Sequence, residues 1–416
     1  MWDSRGHPTV EAEVVLECGV IGRAIAPAGA SIGTSEALEL RDGGERFGGL
    51  DVTKAVGHVN GEIARALIGT DVADQAALDK SLIELDATPN KSRLGGNAFI
   101  AVSLASAMAA AAANGEPLYK HIGGAGANTL PLPHVQVFGG AAHGTPGLNI
   151  QDYMVVCPGA GCFAEALDWT AEVYRAAGLL LKEEGIARGV TEGGGWWPGF
   201  KTDDHGLDAM VRAIERAGFS PGGNVGISID LAASEFGHGG TYTLAPDGRQ
   251  VDTETMVRQL SRWVRRFPIL SIEDPLADDD YLGFVTLTRA IGHRVQIVAD
   301  DLLTSDAGRM QEAALRGAAN AVLLKPNQRG TLTEILQTWQ VARRAGFAGV
   351  ISTRSGETED VSIVHLAVGW GIGQVKVGGF ARGERTAKLN EGLRIEQTLG
   401  SQARFAGASA LLRPTR

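Results

Sequence analysis

Cysteine is scarce: Cys18, Cys157 and Cys162 are the only three in 416 residues. An odd number with no metal-type spacing excludes a disulfide framework or a zinc knuckle, and reduced thiols are expected. Positive charge is also short, with 38 Lys and Arg against 48 Asp and Glu, a net charge of −10. Non-specific nucleic-acid binding needs a basic surface, so no nucleic-acid partner is expected. A small anionic substrate remains possible, because a metal and a few local cations reverse the field inside one cleft. Long apolar runs are lacking too. The most apolar stretch, Ala98 to Ala113, is short for a span and dominated by alanine. It reads as a buried helix, and no membrane partner is expected. The opening residues MWDSRGHPTV hold no apolar core of a secretory signal, so a cytoplasmic location is expected. Neither a repeat nor a low-complexity linker is visible.

What remains is ordinary globular composition, 44% hydrophobic and 21% charged, in a chain long enough for two or three domains. The first part reads as α+β. Val10 to Leu16 alternates apolar and acidic residues, Cys18-Gly19 turns, and Val20 to Ala26 forms the second arm of a hairpin. Helical patterns follow near 52–67, 74–85 and 97–114. The Gly- and Pro-rich stretch 123–133 marks a boundary, giving domains 1–126 and 127–416. Beyond it, short apolar runs alternate with amphipathic helices. The runs are 225–229, 269–272, 295–299, 321–324, 349–352 and 374–375. Leu207, Met210, Val211 and Ile214 share one helical face, as do Met256, Val257, Leu260, Val264 and Phe267. Further helices are expected near 279–291, 306–316, 331–345 and 358–368. Repeated strand–helix units imply a parallel sheet, and their number favours a closed barrel of about eight strands.

The residue that ends each apolar run carries the chemistry. Asp230, Glu273, Asp300, Lys325 and Lys376 each close a different run. Any one of them alone is an ordinary strand-end cap or ion pair. Five in the same register deliver three carboxylates and two lysines to one mouth, at the end of a barrel where active sites form. Oxygen donors without sulfur or clustered histidine suit Mg²⁺. A lysine beside a divalent cation loses its proton more easily and can act as a base. Base and metal together can remove a weakly acidic proton next to a carboxylate, a pairing known from the enolase superfamily.

Long ordered segments resemble the enolase (phosphopyruvate hydratase) family over nearly the whole chain. They are DSRGHPTVEAEV, GASIGTSEALELRD, IELDATPNKSRLGGNAFIAVSLA, SIDLAASEF, SIEDPLADDD, ADDLLTS, LLKPNQRGTLTE, STRSGETED and ERTAKLNEGLRIEQTLG. The resemblance implies an α/β fold: an enolase-type (β/α)8 TIM-like barrel preceded by a smaller α+β domain that caps it with mobile loops. It implies a cytoplasmic homodimer and a small phosphorylated carboxylate as substrate. One or two Mg²⁺ ions are implied, with Asp230, Glu273 and Asp300 as ligands and Ser31 ligating the second. By the same resemblance Lys325 is the base for the C2 proton, Lys376 helps bind the carboxylate, and Arg354 with Ser355 grips the phosphate. Glu192 and Asp152 would assist the leaving hydroxyl. His143 lies close to the family's active-site histidine, in a loop one residue longer than the family's; an exposed loop histidine is the other reading.

Departures cluster on one side of this implied site. Thr353 stands where the family has histidine, and Asp152 where it has glutamate. Phe138 replaces an asparagine, and the family's Gly-Asp-Glu-Gly-Gly-Phe-Ala-Pro loop becomes Val190 to Pro198, with Trp196 and Trp197 in it. Only Met1 and Trp2 precede the Asp-Ser-Arg-Gly motif, where the family carries a short strand. Threonine cannot shuttle a proton near neutral pH as histidine does. The tryptophan pair either stacks on a planar ligand or packs. Three functions are compatible with this pattern. The first is glycolytic dehydration of 2-phosphoglycerate to phosphoenolpyruvate. The second resembles the carboxyphosphonoenolpyruvate synthases of phosphonate antibiotic biosynthesis, with a nucleotide-activated phosphonoformate stacked on Trp196 and Trp197 beside Thr353. The third is a non-catalytic enolase-like binding protein.

Overall fold

The computed structural model describes residues 1–29, 35–141 and 147–411; Ser31 and His143 lie outside them. Strands β1 (Glu11–Val15) and β2 (Ile21–Ile25) form the expected antiparallel hairpin, Glu11 opposite Ile25. The hairpin lies on the helix Gly96–Ala113, whose alanines let the backbones come close. At Gly22 a Cβ would sit 2.2 Å from the carbonyl oxygen of Ala105, so only glycine fits there. By length and composition this helix could cross a membrane, but 83% of it is buried inside the protein, in keeping with the buried helix expected from its alanines. The helix Gln75–Asp86 starts on the Asp74 carboxylate, which accepts the Ala77 N–H. It carries buried Asp79, which accepts from the Ser103 hydroxyl and from the N–H and hydroxyl of Thr333. Thr333 belongs to the helix Leu332–Arg344, so this one carboxylate joins the N-terminal elements to the barrel.

The barrel strands are β3 (Leu132–Gly139), β4 (Asp152–Val156), β5 (Gly226–Asp230), β6 (Ile269–Glu273), β7 (Gln296–Ala299), β8 (Ala321–Leu324), β9 (Ala348–Ser352) and β10 (Gln374–Gly379). Each pairs with the next, and β10 pairs back on β3 to close the ring. Six of them coincide with the expected runs to within a few residues. The parallel rule needs one correction, since β4 runs antiparallel to both neighbours. Among the described residues no helix lies between β3 and β4, and only a crossover can make neighbouring strands parallel. Two helices, Phe163–Glu183 and Asp203–Arg216, then follow in succession before β5. Strand β3 was not among the expected runs because every one of its eight positions is buried, so it shows no alternation.

Amphipathic helices surround the ring. The helix Thr253–Arg266 buries Met256, Val257, Leu260, Trp263 and Val264 along one stripe, as its spacing predicts. Inside the ring a polar layer lies below the rim. His134 contacts Ser228 Oγ through Nδ1 at 3.0 Å and Gln374 Oε1 through Nε2 at 2.9 Å. Gln374 in turn donates to Gln296 Oε1 at 3.0 Å.

Burial pushes the His134 imidazole down from its ordinary 6.5 to about 4. Between those values the unfolded chain binds a proton that folded His134 refuses. Stability is therefore full above pH 6.5 and falls as pH drops toward 4, by about 3 kcal/mol in total. Denaturant unfolding across this window should show that slope, and His134→Gln should flatten it.

Candidate active site

Strand register explains how the rim acids meet. Asp152 pairs with Asp230, and Asp230 pairs with Glu273. Three carboxylates thus stand side by side on adjacent strands, about 4.8 Å apart in the pairing direction. The reversed strand makes this possible: Asp152 begins β4, whereas Asp230 and Glu273 end theirs, yet all three occupy one level. From β10, Lys376 extends its ammonium to Asp230 at 2.6 Å and to Glu273 at 2.8 Å, with Asp152 at 3.7 Å. Lys325 follows β8 and forms an ion pair with Asp300. Pro326 at the first position of the short helix Pro326–Arg329 turns the chain away immediately after it.

These groups surround a cavity of about 280 Å³ at the barrel mouth. Asp152, Glu192, Asp230, Asp300, Lys325, Thr353, Arg354, Ser355 and Lys376 all line it, and buried Glu273 sits just behind. Arg354 Nη1 donates to Glu36 at 2.9 Å and to Asn327 at 3.0 Å. Thr353 has its hydroxyl near the Lys376 carbonyl at 3.3 Å and accepts from Arg385 Nη1 at 3.3 Å. Arg385 also donates to the carbonyls of Arg354 and Ser355, so one buried guanidinium holds all three consecutive residues in place.

The electrostatics follow from crowding. Burial, with the Asp230 charge beside it, holds Glu273 well above the usual carboxylate range. Burial and the charges of Asp301 and Asp300 do the same to Asp274. Asp301 is pushed up to about 7 by burial and by Asp300. For Asp300 burial acts upward, but the Lys325 ammonium outweighs it and the carboxyl lies below its usual range. Burial opposes the charge on both lysines, yet Asp300 holds Lys325 above its ordinary value, and Asp230 and Glu273 hold Lys376 well above.

Six acids, Asp152, Asp230, Glu273, Asp274, Asp300 and Asp301, therefore face two lysines. A divalent cation fits this surplus of buried oxygen donors, with no sulfur or imidazole among them. Oxygens of Asp274, Asp300 and Asp301 lie within 4.8 Å of one another, which by distance alone would make them a metal group. Asp274 has a different task. Its two oxygens accept the N–H groups of Asp300 and Asp301 at 2.9 and 3.0 Å, holding the turn after β7.

Sequence reasoning did not find several neighbours of these acids. Asp274 has φ 39°, a left-handed backbone that no pattern announces. Gln151 donates to Asp230 Oδ2 at 3.1 Å, and Gln328 to Asp300 Oδ1 at 3.0 Å. Each lies next to or within three residues of an assigned acid or lysine, which is the only signal the chain offers. For the tryptophan pair, the packing reading holds at Trp196. Neither Trp196 nor Trp197 lines the cavity. Trp196 gives its indole N–H to the Tyr174 carbonyl at 2.9 Å and stacks on the Tyr174 ring at 5.2 Å. A Cβ on Gly178 would lie 2.4 Å from that indole, so Trp196 lies flat on the helix Phe163–Glu183 and packs.

Comparison with known proteins agrees with this architecture. Residues 1–122 match the family described as the enolase N-terminal domain, and residues 127–413 the enolase C-terminal TIM barrel domain. The chain is 46% identical over 408 residues to a protein named Enolase 1 from Desulfitobacterium hafniense (strain Y51), covering 97% of this chain and 93% of that protein. The chain belongs to the enolase family. It is accordingly an enolase-superfamily enzyme, a carbon–oxygen lyase on an α+β domain followed by a barrel.

Trp196→Ala should lower thermal stability by roughly 2–4 kcal/mol through lost packing. It should leave kcat/KM little changed. Calorimetry and steady-state kinetics on the same preparation check both.

Proposed function

We propose that the protein reversibly dehydrates 2-phosphoglycerate to phosphoenolpyruvate with Mg²⁺, as a cytoplasmic homodimer. The observation that carries this reading is that one small cavity brings together a lysine beside a carboxylate set, a cationic grip, and two further acids on its wall, Glu192 and Asp152. Lys325 takes the C2 proton onto Nζ. Lys376 orients the substrate carboxylate, and Arg354 with Ser355 holds the phosphate, a task a guanidinium fork suits. The C3–O bond then breaks, and the departing hydroxide takes a proton from Glu192, assisted by Asp152, to leave as water. Asp230, Glu273 and Asp300 would hold Mg²⁺, with Ser31 for a second ion and His143 beside the substrate. When bound, the metal supplies the positive charge that offsets the negative charge growing on the carboxylate during proton removal. Asp300 keeps Lys325 protonated, so neutralising Asp300 is what frees Lys325 to act as a base.

Thr353 fits this scheme as a packing residue, tied to Arg385 and the Lys376 carbonyl. Proton delivery then rests on Glu192 and Asp152. A nucleotide-activated co-substrate has less support, since Trp196, one of the two tryptophans that would stack it, packs on the helix Phe163–Glu183 instead. A cavity near 280 Å³ is at the small end for ligand sites, which suits a three-carbon phosphate. A purely structural role gives no reason for so many buried carboxylates at one point.

Proton NMR of 2-phosphoglycerate with protein and Mg²⁺ in D₂O tests the reaction. Loss of the C2 proton signal and growth of vinyl signals are expected, both reduced at least about 10²-fold in Lys325→Ala. Exchange without vinyl signals would sink the dehydration. Mg²⁺ at a hundred times its Kd should stabilise the fold by about 2.7 kcal/mol. Melting curves of Glu273→Gln should show most of that gain lost.

A further inference from the structure

Gln136 rises from the buried middle of β3 and is 2% exposed, yet it lines the cavity. Its amide nitrogen donates to Asp152 Oδ1. Its amide oxygen accepts the Gly195 N–H at 2.9 Å and the Thr191 hydroxyl at 3.3 Å. Thr191 and Gly195 also bond to each other, Thr191 N–H to the Gly195 carbonyl at 2.8 Å. They close a tight turn, and Glu192 sits inside it. A Cβ on Gly195 would lie 2.6 Å from the Gln136 oxygen, and one on Gly193 3.0 Å, so the turn is shaped to rest on this amide.

We infer that Gln136 is a positioning residue for the leaving-group side, one amide setting Asp152 and the Glu192 turn relative to each other. The inference rests on the dehydration proposed above. Length is the core of the argument. Gln136 is opposite Met154 in the register, whereas Asp152 is opposite Gly139, so the glutamine must climb to reach the rim. Asp152 is one methylene shorter than a glutamate and cannot reach down. Asparagine at 136 would leave a gap, and glutamate at 152 would collide with the glutamine. Making both changes moves one methylene across the contact and keeps the summed length.

The test follows C2 proton exchange and vinyl formation together, with Mg²⁺ in D₂O. Gln136→Leu and Gln136→Asn should keep exchange near the wild-type rate and KM little changed. Dehydration should fall about 10²-fold, the cost of a misplacement near 1 Å. The double variant Gln136→Asn with Asp152→Glu should regain at least about tenfold of the loss, the non-additivity expected of contacting residues. Equal loss of exchange and dehydration, no loss at all, or a double variant as poor as the worse single would each overturn the inference. A wild-type protein that gives neither signal overturns the dehydration reading instead. The pairing is then decided by melting temperatures: a double variant closer to wild type than either single upholds it, and additive losses overturn it.

Discussion

Lys376 crosses the barrel to place one ammonium among Asp152, Asp230 and Glu273, within 2.6 to 3.7 Å of all three. Strand pairing fixes those acids side by side whether or not they are neutralised. Two like charges at strand spacing repel by roughly 3 kcal/mol at an effective dielectric near 20. The lysine that offsets this comes from β10, which reaches β6 only halfway around the ring. An open sheet would leave the two strands apart. Barrel closure and the charge balance of the rim therefore depend on each other.

Five of the rim charges were legible in the sequence because each follows a short apolar run; Asp152, which opens its strand, was reached only through the resemblance. A polar residue after four buried ones marks a strand end however the strands pair. The hairpin 11–25 was legible for the opposite reason, since one of its faces is exposed and alternation survives. Strand β3 was not, because a strand buried on both faces and carrying His134 and Gln136 matches neither pattern. The reversal of β4 was hidden as well: direction is set by what joins two strands, and the joining segment has no period to read. Trp196 and Trp197 drew attention through their chemistry, but Tyr174 and Gly178, about twenty residues earlier, decide where Trp196 lies. Asp274 was visible as an acid beside Glu273, yet only its contacts with two backbone N–H groups assign it to the turn. Ser31 and His143 remain readings from resemblance.

The N-terminal elements complete the mouth as well as covering it. Glu36 pairs with Arg354 and accepts from Gln328, which also holds Asp300. Ala28 bridges Gly356, and the Ala37 N–H reaches the Gln328 carbonyl. One chain of contacts thus runs from the first domain through Gln328 to the carboxylate paired with Lys325. A shift of the first domain would be felt at the lysine as a change in the charge beside it.

The reversed strand has a consequence for how such an enzyme can change. Gly139 and Asp152 are directly paired, so the segment between them leaves and rejoins the barrel at a single point. Strands β6 to β10 each hand the chain on toward a helix whose position is fixed by packing, so lengthening those links strains two anchors at once. Here both anchors are the same rung. Added residues would cost little beyond loop closure, which grows only slowly with length. The fold holds one doorway that can be rebuilt from outside while the frame stays still, and it opens beside Asp152.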